Sequence, residues 1–253
     1  MRQQPTHTPP AGPTADTADS ADTVDSADTV DAADAAVERE ARPDGVYRAL
    51  LRSIIAGEAA PGSRLKEREL SERFEVCRIP VRQALQRLES EGFVVAEPRR
   101  GAVVRPMTRH DVEELFDARL CIEPFATRQA ALRLFAGIEA ADALVEILSS
   151  AQTQFAGGDE AEGISSNLRF HAEIVRLSGN SLLVRSLQPM LGRMEWIFRL
   201  THGAREGDQA GEHRQLYDAL VQGKGELAAA QAYAHIELGR APTLAALAPY
   251  LTR

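Results

Sequence analysis

The stretch from Glu67 to Arg87, ERELSERFEVCRIPVRQALQR, admits few folds. Glu67 to Phe74 has the charge density, and the Leu70 and Phe74 spacing, of a short amphipathic helix. Residues 75–79 break that period, and Pro80 opens a second helix, because the N–H that proline lacks has no intrahelical partner in a first turn. There Val81, Leu85 and Leu88 recur at three- and four-residue steps and must face a core, whereas Arg78, Arg82 and Arg87 lie off that stripe. Two short helices around a tight turn, the second with arginines near its N-terminus, predict a helix-turn-helix that lays its second helix in the DNA major groove.

Residues 92–105 read as a wing. Two β-branched runs, Phe93 to Ala96 and Ala102 to Arg105, flank a turn of Pro98, Arg99, Arg100 and Gly101. The tip presents two arginines where such a hairpin touches phosphate or minor groove. A small helical domain with a solvated basic hairpin is the plain alternative. Upstream, a helix capped by Asp44 and running to Ala56 puts Val46, Leu50, Leu51 and Ile54 on one face, and a turn from Gly57 to Gly62 ends it.

A net charge of −8 argues against a nucleic-acid partner until it is divided along the chain. Residues 1–42 hold nine acids and three bases, residues 43–107 nine and twelve, and residues 108–253 nineteen and fourteen, so the only basic segment is the predicted reading head. Residues 1–42 place Asp at every third position from Asp16 to Asp34 and offer too little apolar area to offset the entropy of ordering, which predicts a disordered acidic tail. That repeat lacks the glycine and terminal glutamate of a calcium loop. Cys77 and Cys121 lie too far apart in sequence for a paired-cysteine metal motif and are expected to be reduced and structural. The chain lacks an apolar run of membrane-spanning length and a secretion signal at its start, so a soluble cytoplasmic protein is expected.

From Thr108 onward the periodic segments are helical, cut at 110–135, 138–155, 160–178, 180–202, 209–222 and 226–248. The fold class is therefore mainly α: a winged helix-turn-helix with a small β wing over 43–107, then an antiparallel all-helical bundle over 108–253. Of the histidines, His7 and His110 lie in the tail and linker, and His202 ends a helix. His213 sits on the stripe of Leu216, Tyr217 and Leu220, His235 on that of Ala228, Ala232 and Leu238, and His171 borders Phe170, Ile174 and Val175. Each alone reads as a hydrogen-bonded core residue, but three inward imidazoles on three helices can also converge on one divalent cation. Arg119 shares the face of Val112, Leu115, Ile122 and Ala126, so its buried charge needs a partner: Glu123 one turn on, or a ligand carboxylate. Met190, Met194, Trp196 and Phe198 read as core or pocket wall.

The segment from Val46 to Met107, with PVRQALQRLESEGFV followed by RRGAVV, resembles the DNA-binding domain of the GntR family of bacterial transcription regulators. The resemblance puts the DNA-contacting arginines at Arg68, Arg78 and Arg82 and the wing glycine at Gly101. Cys77 and Ile79 depart from it, since members usually carry Ser or Thr at the first and often Thr at the second. DVEELFDARLCIEPFATRQAA, NLRFHAEIVRLSGN, GEHRQLYDAL and AAAQAYAHI resemble in order the FCD effector-binding domain of the FadR-like branch. This implies a divalent metal, zinc or nickel, at Asn167, His171, His213 and His235, and a small carboxylate effector beside it at Arg119. Asn167 stands where the family has Asp, so a neutral amide replaces a carboxylate.

The reading is a ligand-responsive transcription regulator, a repressor rather than an enzyme, binding double-stranded operator DNA as a homodimer, since one recognition helix reads only a half-site. Two rivals remain. Three histidines with an open position also describe a catalytic metal site, although Glu212 beside His213 is expected on a different helical face and no other general base is recognisable. A regulator sensing the metal alone is the other.

Overall fold

The first helix, α1 (Pro43–Ile55), begins one residue earlier than expected, on a proline suited to a first turn, and Asp44 lies inside that turn instead of capping it. The structure, a computed structural model, describes residues 43–97, 101–157, 160–201 and 209–251, all in one compact unit. The acidic tail, wing-tip Arg99 and Arg100, His7 and His202 lie outside the described residues. Val46, Tyr47, Leu50 and Ile54 are buried, so α1 packs along the face its period marks out.

The short strand β1 (Arg64–Leu65) leads into α2 (Glu67–Arg73) and α3 (Arg78–Ser90). The recognition helix α3 thus starts two residues before Pro80, which occupies the third helical position; the N–H groups of the whole first turn lack intrahelical partners, so proline is tolerated there too. Cys77 is its N-cap and provides no side-chain capping bond, as expected where a hydroxyl is missing. The turn between the helices has Glu75 at φ 54°, a left-handed conformation that glycine adopts more readily. The wing strands β2 (Val94–Glu97) and β3 (Gly101–Val104) pair antiparallel, Glu97 opposite Gly101, and β1 adds to the other edge of β3 with Leu65 opposite Ala102. Gly101 is required: at φ +95° a Cβ there would lie 2.2 Å from the Leu65 carbonyl oxygen.

Among the described residues six further helices follow: α4 (Arg109–Phe135), α5 (Asp142–Gly157), α6 (Glu160–Leu177), α7 (Ser181–Leu200), α8 (Gln209–Val221) and α9 (Gly225–Leu247). A capping box starts α4, Thr108 accepting from the Asp111 amide at 3.1 Å while the Thr108 amide donates to Asp111 at 2.8 Å. The second helix begins at Asp142 instead of 138 because Gly137 and Ile138 complete a C-terminal cap of α4, donating to the Leu134 and Arg133 carbonyls, each at 3.0 Å. Helices α4 and α9 pack against each other, and both carry buried small residues, Ala126 and Ala130 on one and Ala228, Ala232 and Gly239 on the other.

One apolar cluster continues from Val81, Leu85, Leu88 and Phe93 of the reading head into Val112, Leu115, Met194, Trp196 and Ile197. A second, with Phe170, Ile174, Leu216 and Leu220, fills the far part of the bundle. Both cysteines are free and exposed: Cys77 precedes α3 and Cys121 lies on the outer face of α4. Among the described residues no helix is long and apolar enough to cross a membrane.

Candidate nucleic-acid interface and candidate metal centre

Arg68, Arg78, Arg82 and Gly101, singled out by sequence, line one groove between α2, α3 and the wing, together with Arg64, which was not, whereas Arg87 lies outside it and pairs with Glu91. The groove also holds acids. Arg82 donates through Nε and Nη2 to the two carboxylate oxygens of Glu67, at 3.1 and 2.9 Å, whereas Arg68 and Glu72 approach only to 3.9 Å and Arg64 and Glu97 to 3.5 Å. The Arg82 hydrogen bond, with the charges of Arg82 and Arg78 and against a burial effect, holds the Glu67 carboxyl below its ordinary range. Ile79, noticed in the sequence only as a departure from a common Thr, is 66% exposed beside Arg78, an apolar group suited to a thymine methyl.

In the bundle His171 of α6, His213 of α8 and His235 of α9 are all buried, and one ring nitrogen from each lies within 4.8 Å of the others. The stripes that predicted this hold at Leu216, Leu220, Ala228 and Ala232, but Leu238 is 63% exposed and Gly239 continues the buried face of α9. Two carboxylates orient the rings. Glu123 Oε2 lies 2.7 Å from His171 Nδ1, and Glu212 Oε2 lies 2.7 Å from His235 Nδ1. Glu212, expected on a different helical face from His213, still reaches the cluster, because α9 packs beside α8 and the glutamate is long enough to reach across to it. A carboxylate at Nδ1 favours a proton there, which leaves Nε2 of each ring to offer its lone pair to a cation when the ring is neutral.

His213 Nε2 and His235 Nε2 stand 3.3 Å apart. Two imidazole nitrogens on one tetrahedral zinc are about 3.3 Å apart, given metal–nitrogen bonds of roughly 2.0–2.1 Å. Asn167, one turn before His171, supplies the other sign of fit: its Oδ1 is buried and accepts no hydrogen bond among the described residues. It shares a cavity of about 260 Å³ with His213, Phe170 and Arg214. The donor set thus suits a borderline divalent cation.

Arg119, 3% exposed, meets its sequence neighbour: Nε donates to Glu123 Oε1 at 2.6 Å. Its Nη2 is also 3.5 Å from His171 Nε2, and its guanidinium carbon is 5.8 Å from the centre of the Phe198 ring of α7. Burial pushes the Glu123 carboxyl up, but the charges of Arg119 and His171 and their hydrogen bonds outweigh it and hold it well below the usual carboxylate range. Farther along α7, the Trp196 and Phe93 ring centres are 5.9 Å apart. Arg193 Nε donates to the Glu91 carbonyl, the C-cap of α3, at 2.8 Å. A Cβ on Gly92, at φ +77°, would come within 1.9 Å of the Arg193 guanidinium. One helix therefore touches both the Arg119 pair and the end of the recognition helix.

Comparison with known proteins covers both parts. Residues 43–104 match the bacterial regulatory proteins of the gntR family, and residues 114–238 match the FCD domain. The chain is 30% identical to the gluconate operon transcriptional repressor of Bacillus licheniformis over 65% of its length and 67% of the repressor's. It is 29% identical to an HTH-type transcriptional regulator of Bacillus subtilis, over 75% and 85% of the two chains. A crystal structure of a GntR transcriptional regulator from Rhodococcus sp. RHA1 superposes with a TM-score of 0.66 at 25% identity, covering 80% of this chain and 97% of that one.

Proposed function

The chain belongs to the GntR family of transcription regulators and contains an FCD domain, and from that premise we propose that residues 43–107 read an operator while residues 108–253 sense a divalent cation and a small organic acid. The observation that supports sensing is the pair of carboxylates on Nδ1 of His171 and His235, two of three buried histidines that bring one ring nitrogen each within 4.8 Å of one another. His171, His213 and His235, with Asn167, would hold zinc or nickel, and a bound ion supplies a Lewis-acidic anchor for a carboxylate. Arg119 would fork the same ligand. Glu212 orients a histidine, so this account gives it no role as a general base and the chain no enzymatic one. The protein acts as a cytoplasmic homodimeric repressor, two recognition helices matching the two halves of a symmetric operator.

Metal uptake tests the first half of this reading. Protein stripped with chelator should rebind about one zinc or nickel ion per chain, and Asn167→Asp, which adds a carboxylate to the donor set, should bind it more tightly in a calorimetric titration. A stripped protein that takes up no stoichiometric divalent ion removes the metal from the proposal. For the reading head, Arg78→Ala should lose about 1–3 kcal/mol on the preferred duplex and relax base preference at one position. Equal losses on preferred and random DNA would reduce Arg78 to a phosphate contact.

The closed Arg119–Glu123 pair favours a second reading, in which the cation alone is the signal. Titrating metal against DNA binding with and without a carboxylate separates the two.

A further inference from the structure

Among the arginines of the DNA groove, Arg82 is held differently. Glu67, the first residue of α2, grips it side-on at two points, through Nε and one Nη2 hydrogen, while the Arg68–Glu72 and Arg64–Glu97 approaches are single and longer. A guanidinium has five N–H donors in a fixed fork, so the grip leaves the end-on edge, Nη1 and the outer Nη2 hydrogen, unused by Glu67. Paired donors of that kind match guanine O6 and N7. The carboxylate also offsets the charge that would draw Arg82 to any phosphate, leaving direction as its main contribution.

Resting on the DNA-binding reading above, we propose that Glu67 is a positioning residue for sequence readout, holding Arg82 end-on to the major groove so that it reads a guanine instead of a phosphate. Side-chain exposures of 59% for Arg82 and 26% for Glu67 agree with this: the reader faces out and its holder sits behind.

The test uses the full chain, a duplex selected by the wild type from a random library, and a scrambled duplex of the same composition. Glu67→Ala should lose about tenfold on the selected duplex, the scale of a single base contact. It should gain on the scrambled one, with a log–log salt slope steeper by about 0.9, one additional phosphate contact. Replacing guanines one at a time with 7-deazaguanine should reveal one position that costs the wild type about tenfold and costs Glu67→Ala nothing. Glu67→Gln, which keeps one acceptor and the length of the side chain, should move the same way by less and guards against a folding defect. The proposal is overturned if both variants raise affinity for the two duplexes by one common factor, since Glu67 then merely masks Arg82 and leaves on binding. It is equally overturned if no guanine distinguishes wild type from variant. A wild type that selects no duplex at all, or an Arg78→Ala variant with unchanged base preference, instead brings down the reading-head assignment itself.

Discussion

Glu123→Ala destabilises the helical domain by about 3–5 kcal/mol, the cost of leaving a buried guanidinium without its counter-charge. Glu226→Ala provides the internal comparison. Its bridge to Arg128 has the same 2.6 Å length as the Arg119–Glu123 bridge, but the side chains are 44% and 80% exposed against 4% and 4%. Solvent screening holds the exposed pair to about 1 kcal/mol or less. Glu123 also accepts at His171, so its loss frees a ring as well as an arginine. Urea unfolding of the two variants under the same metal conditions reads the difference. Equal costs would mean that the buried triad of Arg119, Glu123 and His171 contributes nothing beyond an ordinary surface pair.

The second large effect is on DNA. A small carboxylate seated between the proposed metal and Arg119 would compete with Glu123 for the guanidinium, and α7 touches that guanidinium through Phe198. The same helix contacts the wing through Trp196 and the C-cap of α3 through Arg193. A ligand shifts DNA affinity only by its preference between two arrangements of these elements, and couplings of about 1–3 kcal/mol, roughly 5- to 150-fold, are typical. The expected result is release of the operator by that factor. Arg193→Ala should bind metal and carboxylate as the wild type does, seen as an unchanged thermal shift, and lose most of the release. Arg119→Ala is the less selective probe, because it removes half of the buried pair and so combines lost response with lost stability. If Arg193→Ala releases DNA at the same ligand concentration as the wild type, α7 is not the coupling element.

Much of this architecture was legible because each helix keeps one period against one core. The helix-turn-helix declared itself through Val81, Leu85 and Leu88, and the wing through two β-branched runs about Gly101. What escaped was either too short or too remote. Strand β1 has two residues, below any periodic signal, and Glu75 occupies a left-handed turn position where glycine would have marked the bend. Ile138 looked like the start of a helix but serves the cap of the one before it.

At the candidate metal centre the three histidines followed from their stripes, since burial on a helix face is a local property. Their orienting carboxylates did not, for those pairings span 48 residues in one case and 23 in the other. Glu123 was legible only as the one-turn partner of Arg119. Its second bond, to His171, depends on how α4 meets α6. The contact of Glu212 with His235 escaped because helical phase gives the direction of a Cβ and not the reach of a glutamate toward a neighbouring helix.

In the proposed function the bundle converts binding of a metal-anchored carboxylate into release of DNA. The most direct test is one titration of the selected duplex with three forms of the protein: stripped, metal-loaded, and metal-loaded with the small carboxylate that most raises its melting temperature. Tight binding is expected of the first two and a loss of about 5- to 150-fold in the third, with no loss when the carboxylate is added to stripped protein. Full release by metal alone, or by the carboxylate without metal, would contradict it.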